Sequence, residues 1–409
     1  MRTRSSLLLL LAALVVSSCG SSHKAATTRA VRTETKRTVA HRPATTRAVR
    51  TETKRAVAHR PESFNLALIS ARTGALLHVS AYDVPSGVAQ LDVKSAVADG
   101  RDGWFVSGGF GLAHMLQNGK LDSSWGTKES RGFEGGTLIK TRSRLYVLTT
   151  RTVALPAGSS HQASDVEAFD VRTGERLWAS PDPSQRVNAL AASSTRVYLG
   201  GAFTSVGNAR RQGLAALDAS TGRLLEWRAP PLRGGSAGSP LVSALSLAGS
   251  SLYVGGYFNS IGGSRRNYLA ALDPSSGDLL PWKPPEAATR GGDAPIEIVV
   301  TGDRLIISND NSSAFSLRTG REPSWARGIG GKDRALTVDG SLLYVGANIE
   351  SPMGLADGEG RYNLAALDLS SGRFTNWAPY LGVDYVSVSQ IVPSGGRVLV
   401  LGMFTNNIG

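Results

Sequence analysis

Beyond residue 62 short apolar runs alternate with clusters of glycine, serine, asparagine and aspartate. In VSALSLAGSSLYVGGYFNSIGGSRRNYLAALDPSSGDLLPWKPP (242–285) this alternation predicts four strands: Val242–Leu247, Ser251–Gly256, Tyr268–Leu272 and Asp278–Trp282. Runs this short, rich in β-branched and aromatic residues and bounded by turn formers, read as strands. The pattern stands 55 residues earlier, without a gap, in VNALAASSTRVYLGGAFTSVGNARRQGLAALDASTGRLLEWRAP (187–230). It returns with a longer middle loop in ALTVDGSLLYVGANIESPMGLADGEGRYNLAALDLSSGRFTNWAPY (335–380). Looser copies occupy 92–125, with Gly103–Gly109 as the second strand, 135–178, and, shortened, 296–325.

Four strands in a period of 40–55 residues predict an all-β fold, a β-propeller with one unit per blade. Two recurring elements have local causes. The first is D-x-x-[ST]-G, at Asp170, Asp218, Asp273 and Asp368, with Ser70 and Ser316 in the Asp place of two further copies. Its Asp accepts backbone N–H bonds within the turn, and its Gly supplies the positive φ that closes a hairpin. These acids are therefore turn formers. The second is a tryptophan near the end of each unit: Trp125, Trp178, Trp227, Trp282, Trp325 and Trp377. One per repeat suits a ring wedged between adjacent blades, its N–H on a neighbour's backbone, better than a ligand shelf.

The two ends of the repeat region are half-units. Val388–Gly409 supplies the first two strands of a unit, whose Leu399–Phe404 matches YVGGYF. The missing half stands at the other end, as Leu66–Gly74 with Val79 in the Trp position. Read in a circle, the two halves complete one shared blade, giving seven in all and covering the sheet edges that an open ring would expose.

The segment before residue 62 differs in kind. Arg2 and Arg4 precede an apolar run, Leu7–Val16, too short to span a bilayer and shaped like a signal peptide. Val16-Ser-Ser-Cys19 resembles a bacterial lipobox, which implies cleavage before Cys19, the only cysteine in the chain, and lipidation of its thiol. Residues 1–18 are thus expected as signal peptide, 19–61 as a lipidated, disordered basic tether and 62–409 as the propeller. The tether holds an 18-residue unit twice in tandem, 26–43 and 44–61, with almost no apolar clustering. Charge follows the same division. The net charge is +13, but residues 1–61 hold 13 Lys/Arg against 2 Asp/Glu, leaving 32 against 30 in the rest. A nearly neutral repeat region argues against nucleic acid as partner. It leaves the tether to serve as a spacer or to lie near anionic headgroups or wall polymer.

The string ALDxxTGxxxxW resembles the tryptophan-docking repeat of pyrroloquinoline-quinone (PQQ) enzymes and their non-enzymatic lipoprotein relatives. YVGGxFxxxGGxxRxxLAALD more closely resembles the delta-60-type propeller repeats of bacterial surface proteins. A quinoprotein needs calcium ligands, a catalytic Asp and, in many members, a vicinal Cys pair. No such set stands out here, nor a CxxCH motif for haem. His78, His114 and His161 are scattered, without metal-ligand spacing, and Asp357 with Glu359 makes a poor cation loop. Gly234–Gly238 fits G-x-S-x-G but lies in a Gly/Ser/Pro-rich loop rather than a strand-to-helix elbow. The expectation is a monomeric, non-catalytic, cofactor-free binding or scaffolding propeller outside the cell membrane, held to the bilayer through Cys19. Its partner would be a protein or an envelope polysaccharide; the alternative is a degenerate PQQ-type quinoprotein or other, hydrolytic, propeller enzyme. Contacts are expected on the loops between second and third strands, Thr204–Gln212, Asn259–Asn267 and Asn348–Tyr362, which carry Arg210, Arg211, Arg265 and Arg266. Arg211 and Arg266, with Arg361, also stand seven residues before the turn Asp and read as donors across the loop.

Overall fold

The computed structural model describes residues 64–79, 93–154, 160–235, 239–285, 288, 294–308, 313–323, 334–347, 364–381 and 387–404. The chain divides into two units, Met1–Val57 and Ala58–Gly409. The first, with the signal segment, Cys19 and most of the tether, lies outside the described residues, as do Trp325, Arg361, the 348–362 loop and Ser236.

Among the described residues the secondary structure is strand and turn, without α-helix. Among the described residues nine sheets form, two of them small hairpin sheets, and the seven larger antiparallel ones follow one another. The first comprises Val93–Ala98, Trp104–Gly108 and Gly111–Met115. The second has four strands, Gly135–Lys140, Arg144–Ala154, Ser160–Asp170 and Arg176–Ala179. Val187–Ala192, Arg196–Gly201 and Leu214–Asp218 make the third. Leu241–Ala248, Ser251–Tyr257 and Leu269–Leu272 make the fourth. The fifth is Glu297–Thr301, Arg304–Ser308 and Ser313–Ser316, and the sixth Arg334–Asp339, Leu342–Ala347 and Leu364–Asp368. The seventh joins the two ends of the repeat region: Leu76–Val79, Phe64–Ser70, Arg397–Phe404 and Ser387–Ser394, in that order. Phe64–Ser70 runs antiparallel to Arg397–Phe404, pairing Leu66 with Leu401 and Ser70 with Arg397.

Alternation within each strand sends one row of side chains to each neighbouring sheet. Val197 and Leu199 lie with Tyr146, Val166 and Trp178 of the second sheet, while Tyr198 faces Val242 and Val254 of the fourth. Seven buried clusters form in this way, each between consecutive sheets; Leu66 and Leu399 of the seventh pack on Trp104 and Val106 of the first. The first strands of successive sheets touch in chain order, and Ser387–Ser394 touches Val93–Ala98. This radial stacking is propeller architecture.

The expected fourth strand fails in the clearest units. In the third, fourth and sixth sheets it is reduced to single bridges: Leu217 with Leu224, Leu272 with Leu279, and Leu367 with Phe374. In two of them the cause is the buried arginine. After Leu225 N–H bonds to Ala216 O, the Leu225 carbonyl is taken by Arg211 Nη2 at 2.9 Å, and Arg266 does the same to Leu280. A carbonyl drawn to a guanidinium no longer extends a ladder, so Asp278–Trp282 is not a strand.

Deleting residues 62–80 removes two of the four strands of the seventh sheet and uncovers the buried faces on both sides of it. Thermal or urea unfolding of that variant should show loss of cooperative folding across the whole repeat region; a transition like that of the intact protein would mean that the chain ends are dispensable to one another.

Candidate functional site

The turn acids are consumed locally. Asp218 Oδ1 accepts the N–H groups of Ser220 and Thr221 at 3.0 and 2.9 Å together with both hydroxyls. The Ser220 and Thr221 donors hold its carboxyl down at about 2. Asp368 is held at about 2 by Ser370 and Ser371 in the same way, and Asp273 is lowered by Ser275 and Ser276. Burial would raise Asp170, but the N–H groups of Arg172 and Thr173 outweigh it and lower the carboxyl. At Ser70 and Ser316 the hydroxyl takes over, accepting Thr73 N–H and Thr319 N–H. An acid whose Oδ1 is committed to its own turn is oriented by the frame, and the same geometry recurs at each Asp copy.

The tryptophans sit on the next unit's turn. Trp178 Nε1 donates to Ala219 O at 3.1 Å, Trp125 to Val171 O at 3.0 Å and Trp377 to Ser70 O at 2.9 Å. The turn glycine serves the ring as well as the backbone: at Gly222, with φ +70, a Cβ would lie 2.5 Å from the Trp178 indole. Each ring also meets an aromatic of its own unit's second strand. Trp178 contacts Tyr146, Trp227 contacts Tyr198, Trp282 contacts Tyr253 and Trp377 contacts Tyr344, with centroids 5.0–5.7 Å apart. Two members deviate. Trp227 is buried, but its N–H has no partner, because the corresponding carbonyl, Pro274 O, already accepts Arg196 Nη1 and Tyr198 Oη at 2.6 and 2.7 Å. Trp282 is only half-buried. Sequence reasoning left Trp104 outside the set, yet it is fully buried and donates to Val392 O at 2.8 Å, from the first sheet to the seventh.

The four loop arginines separate. Arg211 and Arg266 are buried, each donating to the preceding residue's carbonyl and to that of Leu225 or Leu280. They are therefore not contact residues on the loop surface. Arg210 and Arg265 are exposed, at the ends of small hairpins in which Ser205 pairs with Arg210 and Ser260 with Arg265.

A cavity of about 390 Å³ lies among the first strands, lined by Lys94, Thr137, Asn188, Ser243, Glu297 and Gln390 among others. Bulges next to Val93, Val187, Val242 and Val388 help aim side chains into it. Its polar groups mostly bond across to the neighbouring sheet. Gln390 exchanges two bonds with Ala96, at 2.8 and 3.0 Å, Ser243 Oγ donates to Pro295 O, and Glu297 Oε2 accepts Leu336 N–H at 3.0 Å. Lys94 pairs with Glu134. Burial pushes the Glu297 carboxyl up to about 7, opposed only by the Leu336 N–H.

His114, one of the scattered histidines, has two partners: Nδ1 lies 3.0 Å from Asp122 and Nε2 3.2 Å from Asp99. Carboxylates on opposite sides of one ring do not form a chelating set. Among the described residues no group of three or more His, Cys, Asp or Glu is arranged to hold a metal ion.

Radially stacked antiparallel sheets, with the indoles of Trp125, Trp178 and Trp377 docked on the following turns, define a propeller of PQQ-type repeats. Residues 162–254 and 226–378, together more than half of the chain, match the profile of the family described as outer membrane protein assembly factor BamB, and the chain belongs to that family. No curated protein sequence matches significantly. Among solved structures, the Pan2 WD40 domain of Neurospora crassa is similar at a TM-score of 0.50 and 9% identity, over 82% of this chain and 95% of that one. BamB from Moraxella catarrhalis aligns at 0.42 and 17%, over 79% and 90%, and the computationally designed Ika8 protein at 0.43 and 12%, over 77% and 97%.

Between about pH 4.5 and 7 the folded protein keeps a proton on Glu297 that the unfolded chain releases, so this group makes stability fall as pH rises through that window. Glu297→Gln retains the acceptor for Leu336 N–H and removes the titration. Urea denaturation should find the variant equal to wild type at pH 5 and more stable at pH 8, by on the order of 2 kcal/mol.

Proposed function

We propose that residues 62–409 form a seven-bladed ring closed by the shared seventh sheet, and that this ring is a non-catalytic binding or scaffolding module outside the cell membrane, tethered through a lipidated Cys19. The observation that carries this reading is how the polar residues are distributed. The turn acids and the buried Arg211 and Arg266 are spent on the frame, whereas the exposed Arg210 and Arg265 stand on hairpins outside it. An enzyme would gather non-repeating acid, base or nucleophile free to reach a substrate, whereas in the cavity among the first strands Glu297 accepts Leu336 N–H, Gln390 is bonded to Ala96 and Lys94 pairs with Glu134. The family description, an outer membrane assembly factor, supports an envelope setting, with a protein or a polysaccharide as the partner.

Crosslinking and co-purification of the full chain from intact cells tests the reading. The double variant Arg210→Glu, Arg265→Glu should lose partner capture while keeping its melting temperature, and Cys19→Ala should leave the protein unprocessed or release it from the membrane fraction. Undiminished capture by the double variant would move the contact surface elsewhere. A Cys19→Ala protein processed and membrane-bound as before would remove the lipid anchor.

A further inference from the structure

The hairpin of the fourth unit has a third strand that its counterpart in the third unit does not share in the same form. Leu232–Arg233, from the linker that leads into the unit, pairs with Ser260–Ile261, which in turn pairs with Ser264–Arg265. The registers are Leu232 with Ile261 with Ser264, and Arg233 with Ser260 with Arg265. Residues directly opposite one another share a face of a sheet. Leu232 and Ile261 are buried, so their row is the inner one. The other row faces solvent: Arg233 and Arg265 are exposed, and Ser260 lies half-buried between them. Two strand spacings separate the arginine Cα atoms by about 10 Å, a gap that two long side chains span from either side. Neither guanidinium has an ion-pair partner among the described residues, whereas Glu226, a carboxylate of the preceding unit, is held by Arg228. The buried Arg266 follows Arg265 in the chain and adds positive charge beneath the row.

We propose that Arg233, Ser260 and Arg265 form a binding site for a phosphate monoester, an assignment that rests on reading the hairpin side as the contact surface. Two guanidinium forks and one hydroxyl in one row on the solvent face offer up to five donors and two positive charges. A carboxylate presents two oxygens and one negative charge, which leaves donors unmatched. A phosphate monoester presents three terminal oxygens and up to two charges, and so fits the row. The bearer is a soluble or glycan-linked ester rather than a bilayer. The exposed large apolar residues among those described are Leu77, Leu116, Leu121, Leu177, Ile296, Tyr380 and Met403, none of them on this hairpin, and a membrane-seated surface needs such anchors. In the third unit Ser184 N–H bonds to Ser205 O where Arg233 stands opposite Ser260, so Arg210 has no second arginine and serves as an internal control.

Calorimetric titration of the full-length protein with inorganic phosphate, glucose 6-phosphate, glucuronate and phosphatidic-acid vesicles tests the site. Both soluble phosphates should bind, and glucuronate should bind at least about tenfold more weakly. Arg233→Gln and Arg265→Gln should each weaken phosphate binding roughly tenfold or more at unchanged melting temperature, and Arg210→Gln should not. Affinity unchanged in both variants would assign any phosphate binding to the basic N-terminal segment and overturn the proposal. So would equal affinity for glucuronate, or arginine-dependent binding to vesicles without binding of the soluble ester. Loss of phosphate binding with partner capture intact removes only this inference. Failure of capture with phosphate binding intact removes the scaffolding reading and leaves the site.

Discussion

Each sheet of this protein is finished by the next one. At Trp125, Trp178 and Trp377 the indole at the end of one unit donates its N–H to a carbonyl on the turn of the following unit, and Trp178 also rests on the turn glycine Gly222. The arrangement makes two demands on one residue: the turn needs a positive φ, and the ring leaves no room for a Cβ. Glycine alone meets both. The turn in turn fixes the third strand, whose alternate residues build the clusters on either side. At the ends of the repeat region Trp377 docks on the Ser70 turn on one side of the seventh sheet, while on the other side Trp104, from a second strand of the first sheet, donates to Val392 in the strand Ser387–Ser394.

The frame therefore absorbs most of the polar chemistry of the repeat. An aspartate that accepts two N–H groups and two hydroxyls, or an arginine sealed over a neighbouring carbonyl, is committed to structure. What the frame leaves over is where the units differ from one another. Glu297 lines the cavity among the first strands, from a strand paired without a bulge, and Arg233 occupies a place where the preceding unit has serine. Function in a repeat protein is sought in such departures, because the repeating positions answer to packing.

The first three strands of each clear unit and the turns after them were legible because their signals are local: period-two alternation, a turn acid and a turn glycine. The fourth strand was misread for a non-local reason. Arg211 and Arg266 lie 14 residues from the carbonyls they capture, and nothing near Leu225 or Leu280 announces it. The regular tryptophan spacing revealed the wedge but not its exceptions, since Trp227 loses its acceptor to Arg196 and Tyr198 of its own unit. The strand-two aromatics that meet the indoles stand in VYLGG and LYVGG, where alternation alone does not say which ring they face. His114 stands where the clear units carry the small alanine of LAALD, and only the fold brings Asp99 and Asp122 to its two nitrogens. Likewise Arg233 reaches Ser260 through a linker with no strand signal of its own.

The central claim, that indole-on-turn docking holds successive sheets together, is tested most directly by thermal and urea unfolding of Trp178→Ala. Trp178, like Trp125 and Trp377, has both a buried ring and a paired N–H on the next unit. The account predicts a loss of roughly 3–5 kcal/mol, the cost of emptying a packed aromatic site. An unfolding transition unchanged from wild type would contradict it.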